Sequence, residues 1–280
     1  LILLFSRKGF LLIAERCVNK ESDLEIHPTA IIHPKAEIGP GVRVGAYSVV
    51  GEHVQIGKDT ILDSHVVVDG WTKIGERCHL FPFVSVGAAP QAIRYRGEPT
   101  LLTIGNDNLI REFVTINRAT VEGGGETVLG NSNFIMAYSH IAHDCKIGNQ
   151  VIMANNSTLA GHILVEDFAI VGGLVAIHQF ARVGCYSIIG GASGIPQDIP
   201  PYTIAAGNRA RLYGLNLVGL KRHKFPDSTV SALKQAYRIL FRSHLTLHKA
   251  LNRVEKEVPD LPEIRHLLEF LKNSKRGVCR

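Results

Sequence analysis

An aliphatic side chain returns at every sixth position along most of this chain. From Ile26 the series runs through Ile32, Ile38, Val44, Val50, Ile56, Leu62, Val68, Ile74, Leu80 and Val86, and it resumes in phase at Ile104, Ile110 and Ile116. A one-residue slip follows. The series then continues from Leu129 through Ile135, Ile141, Ile147, Met153, Leu159, Val165, Val171, Ile177, Val183 and Ile189 to Ile195. A period of six suits neither a helix nor a simple alternating strand, and it predicts a hexapeptide β-solenoid. Each hexad supplies a short strand and a turn, and three hexads close a triangular coil of about 18 residues with the aliphatic residue pointing inward. Gly often follows directly, as in Val44-Gly45 and Ile74-Gly75. Its lack of a Cβ relieves the corner. The 26 phase positions give nearly nine coils, a prism about 40 Å tall at the spacing of paired strands. A right-handed parallel β-helix, with longer and less regular coils, fits the strict six poorly.

Two departures interrupt the repeat. Over 87–103 the pattern lapses, with Ala92 and Glu98 at phase positions, and over 119–127 the run Gly123-Gly124-Gly125 accompanies the slip. Long loops inside a regular solenoid are usually functional. The solenoid is expected over 25–206 and a helical domain over 207–280. There the apolar residues turn to helical spacing, with Val230, Leu233, Tyr237, Leu240, then Leu247, Leu251, Val254, then Ile264, Leu268, Leu271. Pro226-Asp227-Ser228 reads as a helix start, and Pro259 and Pro262 separate the last two helices. This tail would cap the open end of the prism and its unpaired strand edges.

Charge is unevenly placed. Of a net +6, the stretch from Lys221 to Arg280 carries +8, so the tail is basic and the prism nearly neutral. That suggests an acidic partner for the tail; nucleic acid is not expected. The five cysteines, without a Cys-x-x-Cys pair, argue against a disulfide framework or a structural zinc site. No apolar run reaches the length of a membrane span, because Arg7 and Lys8 break the stretch from Leu1 to Ala14. Residues 1–24 read either as an N-terminal extension or as the end of an organellar presequence, with Arg7, Lys8, Arg16 and Lys20 among apolar residues and Glu15, Glu21 and Asp23 against the second reading.

The histidines fall in phase. One coil beyond His143 lies position 161, beside His162, and one coil further lies Gln179, beside His178. These side chains are expected on one rib of three successive coils, with His140 half a hexad earlier. Asp144 follows His143 directly, where a carboxylate can fix the imidazole tautomer. A rib of hydrogen-bonded imidazoles without chemistry and a zinc site with three His ligands are the competing readings, and no metal site is expected.

The stretches His140-Ile141-Ala142-His143-Asp144-Cys145, Ala154-Asn155-Asn156-Ser157-Thr158-Leu159-Ala160-Gly161-His162, His178-Gln179-Phe180, Pro200-Pro201-Tyr202 and Gly219-Leu220-Lys221-Arg222 together closely resemble the UDP-N-acetylglucosamine acyltransferases that open lipid A biosynthesis. The resemblance covers about residues 26–280. It implies a left-handed parallel β-helix with a C-terminal α-helical domain and a homotrimer with active sites between neighbouring prisms. It also implies transfer of an (R)-3-hydroxyacyl group from acyl carrier protein to the 3-hydroxyl of UDP-N-acetylglucosamine. His143 would be the general base, Asp144 its support and the Gly161 N–H an oxyanion donor. Gln91, Arg94, His140, His162, His178, Gln179, Gly191, Arg209, Asn216 and Arg222 would bind substrate, Gly191 and Arg209 along the acyl groove and Arg222 at the diphosphate. No cofactor would be bound by the chain, since the phosphopantetheine arm belongs to the carrier protein.

Some positions depart from the family. Ala92 stands where Asp is common, Arg94 where Lys is usual, Val218 in place of Glu and His223 in place of a second Arg. These leave the base intact and bear on sugar affinity. The N-terminal stretch suggests a plant organellar member, hence a mitochondrial location, with the bacterial cytoplasm as the alternative. A hexapeptide N-acyltransferase and a non-catalytic scaffold are the other functional readings.

Overall fold

In a computed structural model, residues 24–280 are described; residues 1–23, with the extension or presequence reading, lie outside them. The sixth-position residues occupy the second place of two-residue strands such as Arg43–Val44, Val49–Val50, His140–Ile141 and Ile170–Val171, and their side chains are buried while the first residue of each pair faces outward. Up to Thr203–Ala206, strands pair in parallel with those a full coil away, as Val50 with Val68 and Ile141 with Leu159. The result is a triangular prism of three sheets with 11, nine and eight strands. Its interior is one column of aliphatic side chains, with Leu62, Leu80, Ile104, Ile135, Met153 and Leu159 among the largest that are fully buried. Burying side chains of this size contributes roughly 1.5–3 kcal/mol each before entropy. At the N-terminal end the column opens: Ile26 is 43% exposed, and Ile32 and Ile38 are half-buried.

The glycines after the aliphatic positions relieve crowding as expected, but they do not supply the left-handed backbone of the turns. Left-handed backbone falls on the third residue after most of the aliphatic ones, and apart from Gly41 (φ 70°) these are not glycines: Tyr47 has φ 58°, His65 60°, Asp144 62° and His162 62°. Gly45, directly after Val44, instead lets coils stack closely, since a Cβ there would lie 2.7 Å from the backbone of Asp63 and Ser64.

Strand register explains the slip. Ordinary partners are 18 apart, but Ile74 pairs with Ile104 and Ile104 with Leu129. The first loop therefore adds two whole hexads and preserves phase, whereas the second adds one hexad plus one residue. Both loops are shorter than the lapse in pattern, because Leu101–Ile104 and Glu126–Leu129 are four-residue strands of the prism.

The solenoid does not pass straight into helices. Thr203–Ala206 and Arg211–Leu215 form an antiparallel hairpin at the end of the 11-stranded sheet. Four helices follow: α1 Leu217–Arg222, α2 Asp227–Arg242, α3 Leu247–Glu257 and α4 Pro262–Lys272. Pro226 precedes α2 without a side-chain cap, Asp227 lies in its first turn, and Pro262 opens α4, where its missing N–H costs nothing. Leu220, Leu233, Leu251 and Leu267 build a second core with Tyr202, while Tyr237 and Cys279 join the prism's own column. No helix among the described residues is long and apolar enough to cross a membrane.

Candidate active site

Both inserted loops leave the prism at the corner between the nine- and eight-stranded sheets, and the turn carrying His143 lies at that same corner. The second loop reaches back to it. Thr120 donates to the Asp144 carboxylate through its backbone N–H (2.9 Å) and its hydroxyl (2.8 Å). The Asp144 backbone N–H donates to Thr127 Oγ1 at 2.8 Å. A Cβ on Gly123 would come within 2.1 Å of that carboxylate, so only glycine lets the loop close over it. Asp144 is thus held on all sides, in a left-handed turn that Asp tolerates better than most residues.

His143 Nδ1 lies 2.6 Å from Asp144 Oδ2; the Asp144 side chain has no exposure and that of His143 is 17% exposed. Burial alone would push the Asp144 carboxyl up. The hydrogen bonds from His143 and Thr120, with His162 nearby, outweigh burial and hold it below the usual carboxylate range. An ionised carboxylate can only accept, so Nδ1 carries the proton and Nε2 keeps its lone pair.

The expected rib resolves into two adjacent registers. A coil of 18 residues stacks His143, Gly161 and Gln179 in one row and Asp144, His162 and Phe180 in the next. His162 stacks on Phe180 at 4.5 Å, meets the His143 ring edge-on at 5.1 Å, and places Nε2 3.7 Å from Asp144 Oδ2. Burial is the main cause that holds the imidazoles of His162 and His140 below their ordinary pKa. His140, on the outer face of its strand, has Nδ1 2.7 Å from Thr115 Oγ1. Gly161 makes room for the His143 ring, because a Cβ there would sit 2.6 Å from it. Its N–H has no hydrogen-bond partner among the described residues. His178 precedes the turn and is exposed, with Nδ1 3.2 Å from the Gln179 carbonyl.

Not every expected residue gathers here. Gln91 and Arg94 are exposed on the first loop, where Arg94 approaches Glu122 of the second at 3.6 Å. Gly191 stands on the corner between the 11- and nine-stranded sheets, against the Gly173 carbonyl. Arg209 is exposed in the C-terminal hairpin turn and Arg222 at the end of α1. Asn216 is buried, its Oδ1 accepting from the Gly219 N–H and its amide donating to the Tyr186 carbonyl at 2.8 Å, so its side chain fixes α1 to the prism. Thr120 and Thr127 escaped sequence reasoning, which singled out only their loop, by its glycine run and its slip in phase.

The corner suits proton transfer better than other chemistry. His143, Asp144 and His162 offer atoms close enough to hold a metal, but both Asp144 oxygens already accept hydrogen bonds, Oδ1 from the Thr120 N–H and Oδ2 from His143 and the Thr120 hydroxyl. Cys145 is buried, donates to the Ala160 carbonyl at 3.2 Å and is pushed up to about 12 chiefly by burial, which keeps it a neutral thiol.

Comparison with known proteins points to one family. The family described as "Udp N-acetylglucosamine O-acyltransferase; Domain 2" matches residues 198–279, and the bacterial transferase hexapeptide repeat matches 126–161. A curated acyl-[acyl-carrier-protein]–UDP-N-acetylglucosamine O-acyltransferase from Thermodesulfovibrio yellowstonii is 61% identical over 256 residues, 91% of this chain and 99% of the relative. LpxA from Acinetobacter baumannii superposes with a TM-score of 0.89 at 44% identity, covering 91% of this chain and 99% of that one. The Arabidopsis UDP-N-acetylglucosamine acyltransferase gives 0.81 at 37% identity, covering 91% and 100%. The prism is accordingly a left-handed parallel β-helix of hexapeptide repeats. With identity this high along nearly the whole described length, the chain belongs to the UDP-N-acetylglucosamine O-acyltransferase family.

Proposed function

We propose that the chain carries out the reaction of its family, transfer of an (R)-3-hydroxyacyl group from acyl carrier protein to the 3-hydroxyl of UDP-N-acetylglucosamine in lipid A biosynthesis, with His143 as general base. The observation that carries this reading is the Asp144–His143 pair, whose Nε2 is left to accept a proton at a corner against which the second inserted loop closes. Nε2 removes the sugar hydroxyl proton as the oxygen attacks the thioester carbon. Negative charge gathers on the former carbonyl oxygen, where the Gly161 N–H donates to it. The C–S bond then breaks, the ester remains on the sugar, and the imidazolium returns its proton to the phosphopantetheine thiolate. Asp144 stabilises the imidazolium throughout and need not change protonation. The buried cysteines take no acyl group, and no cofactor is bound by the chain itself.

His140, His162, His178 and Gln179 would bind the sugar nucleotide and the acyl chain, with Gln91 and Arg94 joining them from the first loop. Gly191, Arg209, Asn216 and Arg222 lie on other parts of the same chain. In a homotrimer they would come to the cleft from a neighbouring prism or line its far end, Asn216 by setting the position of α1 and its Arg222. The basic helices fit an acidic carrier protein.

The test is release of free thiol from (R)-3-hydroxyacyl carrier proteins of several chain lengths. Release should require UDP-N-acetylglucosamine and yield its 3-O-acyl ester. Release only with an amino-sugar acceptor, giving an amide, would replace this reading with N-acyl transfer.

A further inference from the structure

A second group of chemically reactive side chains stands at a different corner, between the eight- and 11-stranded sheets. Glu166 and Cys185 come from turns of successive coils and His266 from α4, 81 residues beyond Cys185 in the chain. His266 Nε2 is 2.8 Å from Glu166 Oε2, which also accepts from the Cys185 backbone N–H at 2.8 Å. One carboxylate oxygen, one sulfur and one ring nitrogen all lie within 4.8 Å of one another. They line a cavity of about 730 Å³ between prism and helices. Its other charged lining residues are Asp167, Glu263 and Lys146. A chain of net charge +6 thus places three carboxylates against the Lys146 ammonium and the His266 imidazolium around this cavity, a net negative balance that favours a cation.

We propose that Glu166, Cys185 and His266 bind a divalent cation of the zinc class. Oxygen, nitrogen and sulfur together match the borderline-soft preference of zinc, and hard cations such as magnesium or calcium take oxygen alone. Bonds of about 2.0–2.3 Å place tetrahedral ligand atoms roughly 3–4 Å apart, so small side-chain rotations suffice. On binding, the thiol and the imidazolium each release a proton, and the metal replaces the proton now shared between His266 and Glu166. The cavity leaves the fourth position to water. Because the ligands belong to two coils and α4, the ion ties the helical domain to the prism. Cysteine spacing could not reveal such a site, since no two of its ligands are near neighbours in sequence.

The test is titration of the metal-stripped, reduced full chain with Co²⁺. One equivalent should bind with a thiolate-to-cobalt charge-transfer band in the near ultraviolet, and Zn²⁺ should displace it. Cys185→Ser should abolish the band. His266→Ala should weaken binding about 100-fold or more, taking the upper range for loss of a ligand's supporting contact as a floor. Both variants should keep thiol-release activity, which shows that they are folded. His143→Ala should bind Co²⁺ like the parent chain. Absence of the band, a band unchanged in Cys185→Ser, or binding lost in His143→Ala would each overturn the assignment, the last by sending the ion to the other corner.

Discussion

At the scale of single residues the site depends on what is missing as much as on what is present. Gly161 lies under the His143 ring, and a methyl group there would overlap the imidazole at 2.6 Å. Gly161→Ala is therefore expected to shift the base and lower kcat about 100-fold, the usual consequence of displacing a reacting group by an ångström. The carboxylate beside it has a separable role. Asp144→Asn removes the acceptor that keeps the proton on Nδ1, and the amide can donate to that nitrogen instead. The expected loss is on the order of 10²–10⁴-fold in kcat, with the KM for the sugar nucleotide little changed, because the effect falls on the tautomer. Steady-state kinetics on the two variants distinguish these outcomes. An equal rise in KM for both would mean that the corner binds substrate without activating it.

Elements bring these residues together. The second inserted loop contributes Thr120, whose two bonds to Asp144 come from an insertion that also shifts the hexad phase. Helix α1 presents Arg222 to solvent, with Lys224 just beyond it. Reversing both charges is expected to raise the apparent constants for carrier protein or sugar nucleotide while leaving the fold intact. Unchanged constants would remove this face from the docking account. Helix α4 offers a pH signal. His266 is pushed up to about 10, chiefly by the Cys185 sulfur and Glu166 carboxylate, against the opposing effect of burial. Its folded value lies above the ordinary 6.5, so the stabilisation is complete below about pH 6.5 and is lost as pH rises through about 10. In metal-free protein, the thermal midpoint should fall over that window relative to His266→Gln, which has no such proton. Parallel curves for the two proteins would refute this linkage.

For the whole molecule, sequence periodicity made the prism legible because every sixth side chain has one destination, the interior column. The same regularity placed His143, Asp144, Gly161 and His162 at one corner from arithmetic alone. It could not resolve the two registers, because a one-residue offset on a turn decides which ring stacks on which. Nor could it find Thr120 and Thr127, whose loop breaks the period. The hairpin at 203–215 was hidden for a related reason, since it continues a sheet with antiparallel strands that carry no hexad. The separation of Gly191 from His143 on different corners favours a cleft shared between chains, and sedimentation should give the mass of three. A monomer that keeps full activity would contradict that assembly. The central claim is that an oriented His143 draws the proton from the sugar alcohol. It is tested most directly by comparing thiol release for His143→Ala and the parent chain, with circular dichroism unchanged. A loss of about 100-fold or more is expected; an undiminished rate in the folded variant would contradict the account.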